Sequence, residues 1–222
     1  MRSITFFLTS VLAFVLSLSA VAQKQITEGS LTYKISIEST KADEPVGSAL
    51  NGAELTLFLK PYASRSEMKS SLGVESTVYD NRSASGYILK EYSGQKLMIS
   101  MTGGNWAQKN RMYENLVFNV DDELVTIGEY RCKKATTVLP DGKTFTVYFD
   151  PGVQITNKKY NNAFAKLPGL PVQYELQSGH LNFKYTLVQI NYDVVPQSKF
   201  EAPKAGYRVM TYEENQQLKK GK

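Results

Sequence analysis

The chain has 222 residues, with 26 Lys and Arg against 21 Asp and Glu, a formal charge of +5, 14 Tyr, 10 Phe, one Cys and one His. A single cysteine excludes an intrachain disulfide and a zinc site built from thiolates, and a single histidine excludes a histidine metal cluster. Charges are interspersed apart from the pairs Lys133–Lys134 and Lys158–Lys159 and the tail Lys219, Lys220, Lys222, so no nucleic-acid partner is expected.

The first pattern in the chain is Arg2 followed by an apolar run from Ile4 to Leu18 and then Ser19, Ala20, Val21, Ala22 and Gln23. One early positive charge, a short apolar segment and small residues at Ala20 and Ala22 predict a signal peptide over residues 1–22, cut between Ala22 and Gln23. The competing reading is an uncleaved anchor, because a spanning helix needs about 20 apolar residues. Thr9, Ser10, Ser17 and Ser19 dilute the run, and no Cys follows it to accept a bacterial lipid anchor. Residues 23–222 are then expected to form one β-rich domain, periplasmic or extracellular, that is not an integral membrane protein after cleavage. Such a location is remote from ATP and NAD(P)H, and no cofactor is expected.

Period-2 alternation dominates the rest. Leu31, Tyr33, Ile35 and Ile37 alternate with polar residues, and Leu55, Leu57 and Leu59 repeat the pattern after a polar Thr40–Gly52 stretch that reads as a loop. Ser64–Ser70 is polar on both faces and reads as an edge or exposed strand. Strands at Val74–Tyr79, Tyr87–Tyr92 and Lys96–Met101 follow at meander spacing, turned by Asp80–Asn81 and Ser93–Gly94. Alternation fails from Gly103 to Glu114, which is a loop or a short helix.

It returns at Leu116–Val120, breaks at Asp121, Asp122 and Glu123, and resumes at Tyr130–Val138. Pro140, Asp141 and Gly142 then predict a tight hairpin to Thr144–Phe149. A second hairpin joins Val172–Gln177 to Leu181–Tyr192 through Ser178 and Gly179. Lys158–Ala165 and Tyr212–Leu218 read as short helices. The fold class is therefore mainly β, at the margin of α+β: an antiparallel meander that curves to bury one face, with a few short helices capping it.

Residues suited to chemistry are sparse. His180 sits beside a turn and has no partner in sequence to orient it as a proton carrier. Cys132 shares a strand face with Tyr130 and reads as a buried apolar group rather than a nucleophile. Asp121–Glu123 lacks the spaced oxygens of a calcium loop, and Gly103–Gly104 has no phosphate-loop Lys behind it. Asn81-Arg82-Ser83 matches a glycosylation acceptor, which matters only in a eukaryotic secretory route.

The segment Leu167, Pro168, Gly169, Leu170, Pro171, followed by the strand from Val172 to Leu176, resembles the stretch that names the GLPGLI family of exported bacterial proteins. Lys166 stands where the first Gly belongs and Pro171 where the Ile belongs. The run from Phe200 to Tyr207 with Met210 resembles the ending of a related family of exported proteins, and Tyr130–Ala135 fits the same group. The resemblance implies a fold similar to the periplasmic carriers LolA and LolB, a curved antiparallel half-barrel with helices against its concave side. It carries no catalytic residues over.

These readings favour a non-enzymatic envelope protein that holds a lipid, acyl chain or hydrophobic segment against the concave sheet. Trp106, Met98, Met101 and Phe164 are the candidate cavity residues. The alternatives are a structural or interaction module that binds an envelope protein through a sheet edge or the Thr40–Gly52 loop, and a small outer-membrane β-barrel. The barrel sits poorly with a chain that finishes on Lys219, Lys220, Gly221 and Lys222.

Overall fold

The computed structural model describes residues 23–39 and 49–220. The expected leader, with its cut after Ala22, lies outside the described residues, as do residues 40–48 of the expected loop; Gln23 is the first residue described.

Alternation does what the sequence asks of it. Leu31, Tyr33 and Ile35 lie on one face of β2 (Gly29–Ser39) and are at most 2% exposed. From β2 the chain runs antiparallel through β3 (Glu54–Leu59), β4 (Ala63–Ser70), β5 (Gly73–Asp80), β6 (Ser85–Tyr92) and β7 (Gln95–Met101). A second run comprises β8 (Asn119–Ile127), β9 (Tyr130–Val138), β10 (Thr144–Asp150), β12 (Leu170–Ser178) and β13 (Leu181–Asn191). The two runs meet in a long antiparallel β2–β13 ladder, and with β14 (Arg208–Thr211) beside β7 they give the twelve-strand order β14-β7-β6-β5-β4-β3-β2-β13-β12-β10-β9-β8. The sheet is curved and open.

Four expectations are corrected. Two strand pairs are parallel rather than antiparallel: β14 (Arg208–Thr211) returns beside β7, and β1 (Lys24–Ile26) pairs with β11 (Val153–Ile155) in a separate two-stranded sheet. The polar strand β4 is central, not an edge, because it pairs with β3 on one side and β5 on the other, and its polar outer face is covered by residues downstream of β13. Asp121–Glu123 does not end a strand but forms the bulge inside β8, where Lys133 binds Asp122 at 2.8 Å. A bulged, charged edge strand resists pairing with another chain. The outer-membrane barrel is not the fold: among the described residues β14 and β8 are the two ends of the sheet and do not pair with each other.

The helical expectations resolve in detail. Gly103–Asn110 is a helix, α1, and Tyr212–Lys220 is a second, α2. Lys158–Ala165 is instead two 3-10 turns, Lys158–Tyr160 and Asn162–Phe164. Asn157 and Asn161 each accept a hydrogen bond from the backbone N–H two residues on, which starts a new turn at each Asn and breaks the continuous helix.

Each face of the sheet is covered. On the inner face, over β2, β9, β10, β12 and β13, the core includes Tyr33, Phe145, Val147, Phe149, Leu167, Val172 and Tyr174. Burying each large side chain contributes roughly 1.5–3 kcal/mol. The segment after β11 presses Phe164 into this core, where its ring meets Tyr174 edge-on at 4.8 Å. On the outer face, residues 192–207 run from β13 across to β14 at the far edge. Val195 and Phe200 in this strap pack with Ala63, Val78, Phe58 and Tyr87 from β3 to β6.

Candidate functional site

The four residues singled out as cavity candidates do not converge. Met101 is buried with Ile88, Ile99, Met210 and Tyr212, and Trp106 packs against this cluster. The Trp106 ring also stacks on Tyr79 with centroids 4.2 Å apart and planes 8° from parallel. Phe164 belongs to the larger core on the other half of the sheet. Met98 pairs with Leu89 and Val209 and alternates with inward-facing Ile99, which places it on the outer face.

The open volume lies beside the Met101 cluster. A cavity of about 430 Å³ is bounded by the inner face of β5–β7 below and by α1 and α2 above. Ligand sites commonly occupy about 300–1,000 Å³. The sheet contributes Glu75, Ile88, Lys90 and Ile99, which the register places together: Glu75 opposes Lys90 across β5–β6, and Ile88 opposes Ile99 across β6–β7. From α1 come Gln108 and Lys109. The face of α2 supplies Tyr212, Asn215, Gln216 and Lys219, spaced i, i+3, i+4 and i+7 as one helical stripe requires.

Local chemistry fixes both helices. Thr102 accepts from the Asn105 N–H while the Asn105 side chain accepts from the Thr102 N–H, a capping box that starts α1. Thr211 and Glu214 form the equivalent pair for α2 at 3.1 and 2.8 Å. The Asn105 amide then donates to Glu213 Oε1 at 2.5 Å, tying one helix start to the other. Both helices are thereby held over β5–β7, and the space beyond their anchored starts is the cavity.

Its lining is mixed, with buried apolar and aromatic side chains set among charged and amide groups. Ile88, Ile99 and Tyr212 are buried, whereas Glu75, Lys90, Lys109 and Lys219 give the lining a net charge of +2. Glu75 Oε2 takes two contacts, from Lys90 Nζ at 3.1 Å and from the Tyr92 hydroxyl at 3.2 Å. Desolvation, with Glu75 adding to it, pushes the Tyr92 phenol up to about 12 and keeps it a neutral donor. Lys109 is exposed as a residue, yet desolvation in the concavity lowers its pKa. Glu75 opposes that shift, and repulsion from Lys219 and Lys90 adds to it.

The other chemistry-bearing residues take structural positions. Cys132 is fully buried, and burial, with Asp150 adding to it, pushes its thiol up to about 11, so it stays protonated near neutral pH. His180 and Gly179 form the exposed β12–β13 turn. The Asn81 amide donates to buried Asn157 at 2.5 Å, so the nitrogen a glycan would need is spent inside the fold. Among the described residues no three His, Cys, Asp or Glu side chains gather to hold a metal, and no helix is long and apolar enough to cross a membrane.

Among solved structures, this chain is similar to an uncharacterized conserved protein from Thermus thermophilus, with a TM-score of 0.52 and 10% identity over 91% of this chain and 99% of that one. It is also similar to PNGF-II, at a TM-score of 0.49 and 12% identity, over 86% of this chain and 33% of that one. A third similar structure is the LolA superfamily protein NE2245 from Nitrosomonas europaea, at a TM-score of 0.38 and 8% identity, over 86% of this chain and 97% of that one. The likeness is one of fold. No protein-family model and no curated protein matches the chain. The open curved sheet with short helices on its inner face is nonetheless the architecture that the resemblance around Gly169 implies.

Proposed function

We propose that this protein is an exported component of the cell envelope that binds an amphiphile, a lipid or another molecule with an apolar part, and catalyses no reaction. The observation that carries this reading is the cavity of about 430 Å³ left between β5–β7 and the two helices, with Ile88 and Ile99 from the sheet and Tyr212 from α2 as the apolar part of its lining. The other half of the inner face is filled by Phe164 and its aromatic neighbours, so the concave side offers a ligand the β5–β7 end. The resemblance of residues 166–176 to an exported family, and the leader expected before Gln23, support an envelope location.

The test is native mass spectrometry of protein purified from its own envelope, together with titration of a fluorescent fatty acyl probe. A bound lipid, and probe affinity that falls at least about tenfold when the half-buried rim residue Gln216 is changed to Trp to fill the cavity, are the expected results. Repeated recovery of empty protein with no affinity for the probe would sink the reading. A second reading, an interaction module, draws on the β8 edge, where Val120 and Leu124 are more than 40% exposed beside Val117 at 68%. These exposed apolar side chains offer a partner protein side-chain contact rather than an added strand, because the bulge and its charges block edge pairing. Pull-down of a stoichiometric protein without lipid would favour it.

A further inference from the structure

The cavity lining carries more positive charge than its single carboxylate, Glu75, balances. Among the described residues, Lys109 and Lys219 make no ion pair within 4.0 Å, and Glu75, the carboxylate of the lining, is already held by Lys90 and Tyr92. Two lysines from separate helices thus line one cavity with a single carboxylate that Lys90 already shares. Like charges in a shared concavity repel, and desolvation penalises the Lys109 ammonium further. Packing does not require this arrangement, because a Gln at either position would fill the same space without the repulsion. Asn215 and Gln216 stand on the same α2 stripe and bring amide N–H donors to the same wall.

We propose that the cavity is a site for an anionic oxygen group, a phosphate or a carboxylate, held by Lys109 and Lys219 with the Asn215 and Gln216 amides as neutral donors. Lysine serves such groups as a point charge, and a hydrogen bond to an ionised oxygen is about twice as strong as a neutral one. The apolar part of the lining, Ile88 and Ile99 on the sheet and Tyr212 on α2, meets whatever is attached to the anion. The inference rests on the amphiphile reading and specifies which end of the ligand this cavity takes. The lowered pKa of Lys109 agrees with a site that is electrostatically unfavourable until it is filled.

The anion has two sources, a lipid headgroup or a free phosphate, and calorimetric titration separates them. Dodecyl phosphate, neutral dodecyl maltoside and inorganic phosphate are titrated into the mature protein and into the K109Q/K219Q double variant, with K158Q/K159Q as a control for general loss of charge. The expected result is that dodecyl phosphate binds at least about tenfold more tightly than the maltoside, and that the double variant alone loses this preference. The preference should also weaken as salt rises. Binding of inorganic phosphate that the double variant abolishes supports the anion site and identifies a free anion as its ligand.

Equal affinity for the two dodecyl ligands in the unmodified protein overturns the anion site while leaving the amphiphile reading intact. That comparison needs no variant, so a misfolded variant does not protect the proposal. Failure of the folded protein to bind any of the three ligands overturns both.

Discussion

Glu67 is 7% exposed, in the middle of the sheet, and survives there as a carboxylate because of two neighbours on its own strand, Arg65 first and Lys69 second. Arg65 reaches it twice, from Nη2 at 2.7 Å and Nε at 3.1 Å, and also donates to Ser76 Oγ and to the Lys199 carbonyl of the strap. Burial alone would raise the Glu67 pKa. Hydrogen bonds from Arg65 and Lys69 outweigh it and hold the group below its ordinary 4.5. A carboxyl whose folded pKa is depressed contributes stability that is fully present above its unfolded pKa and is lost as pH falls through the folded value. Arg65→Met should therefore cost about 3 kcal/mol in urea unfolding at neutral pH by leaving a buried charge with Lys69 alone, and should flatten the acid loss of stability below pH 4.5. Arg65→Met combined with Glu67→Leu should recover part of that cost, since no stranded charge remains. An Arg65→Met protein as stable as the parent, with an unchanged acid limb, would show that this network does not support the sheet.

The elements that the sequence announces are those whose periodicity follows from local geometry. Strands such as Leu31–Ile37 and Thr144–Phe149 alternate because one face is buried, and that pattern survives any tertiary context. The strap and β14 leave no such trace: residues 192–207 have no period, and their burial follows from where β13 ends and where β7 offers an edge. Polar β4 misreads as an edge for the same reason, because the strap that covers it lies more than 120 residues downstream. The cavity is harder still to read, since five elements supply its lining. Its signals are present but individually weak: the capping spacing Thr211 to Glu214, the stripe Tyr212, Asn215, Gln216, Lys219, and charged Glu75 and Lys90 on a face expected to be apolar. Gly169 is a clearer case, because a Cβ there would meet the Asp150 carbonyl oxygen and the Phe149 ring at 2.3 Å, which explains a glycine inside the Pro-rich segment that carries the family resemblance. If the strap holds the outer face shut, Phe200→Ala should cost about 3 kcal/mol in chemical unfolding. The cavity lies on the opposite face, so ligand affinity should not change; loss of binding with unchanged stability would contradict this division of labour.

At the scale of the molecule, two meanders that could each be a small sheet are made one by the β2–β13 ladder. Tyr33 and Leu187 oppose each other in it, as do Ile35 and Tyr185, and all but Tyr185 are below 5% exposed. Tyr33 also donates its hydroxyl to the Pro171 carbonyl at 2.7 Å, tying β2 to the start of β12 across β13. The ends of the sheet lack this support. β8 is mostly exposed and bulged, while β14 has four residues and a partner on one side. Opening free energies range from near zero at frayed edges up to the global value in core strands. Hydrogen exchange should therefore find the slowest amides at Tyr33, Ile35, Tyr185 and Leu187, with β8 and the β14–α2 unit exchanging several orders of magnitude faster. Because α2 forms one wall of the cavity, a ligand seated there should slow exchange in β14 and α2 selectively and leave the central ladder unchanged. If β6–β7 proved the slowest region and the ladder exchanged early, the two meanders would be separate stability units, and the cavity would belong to the first of them alone.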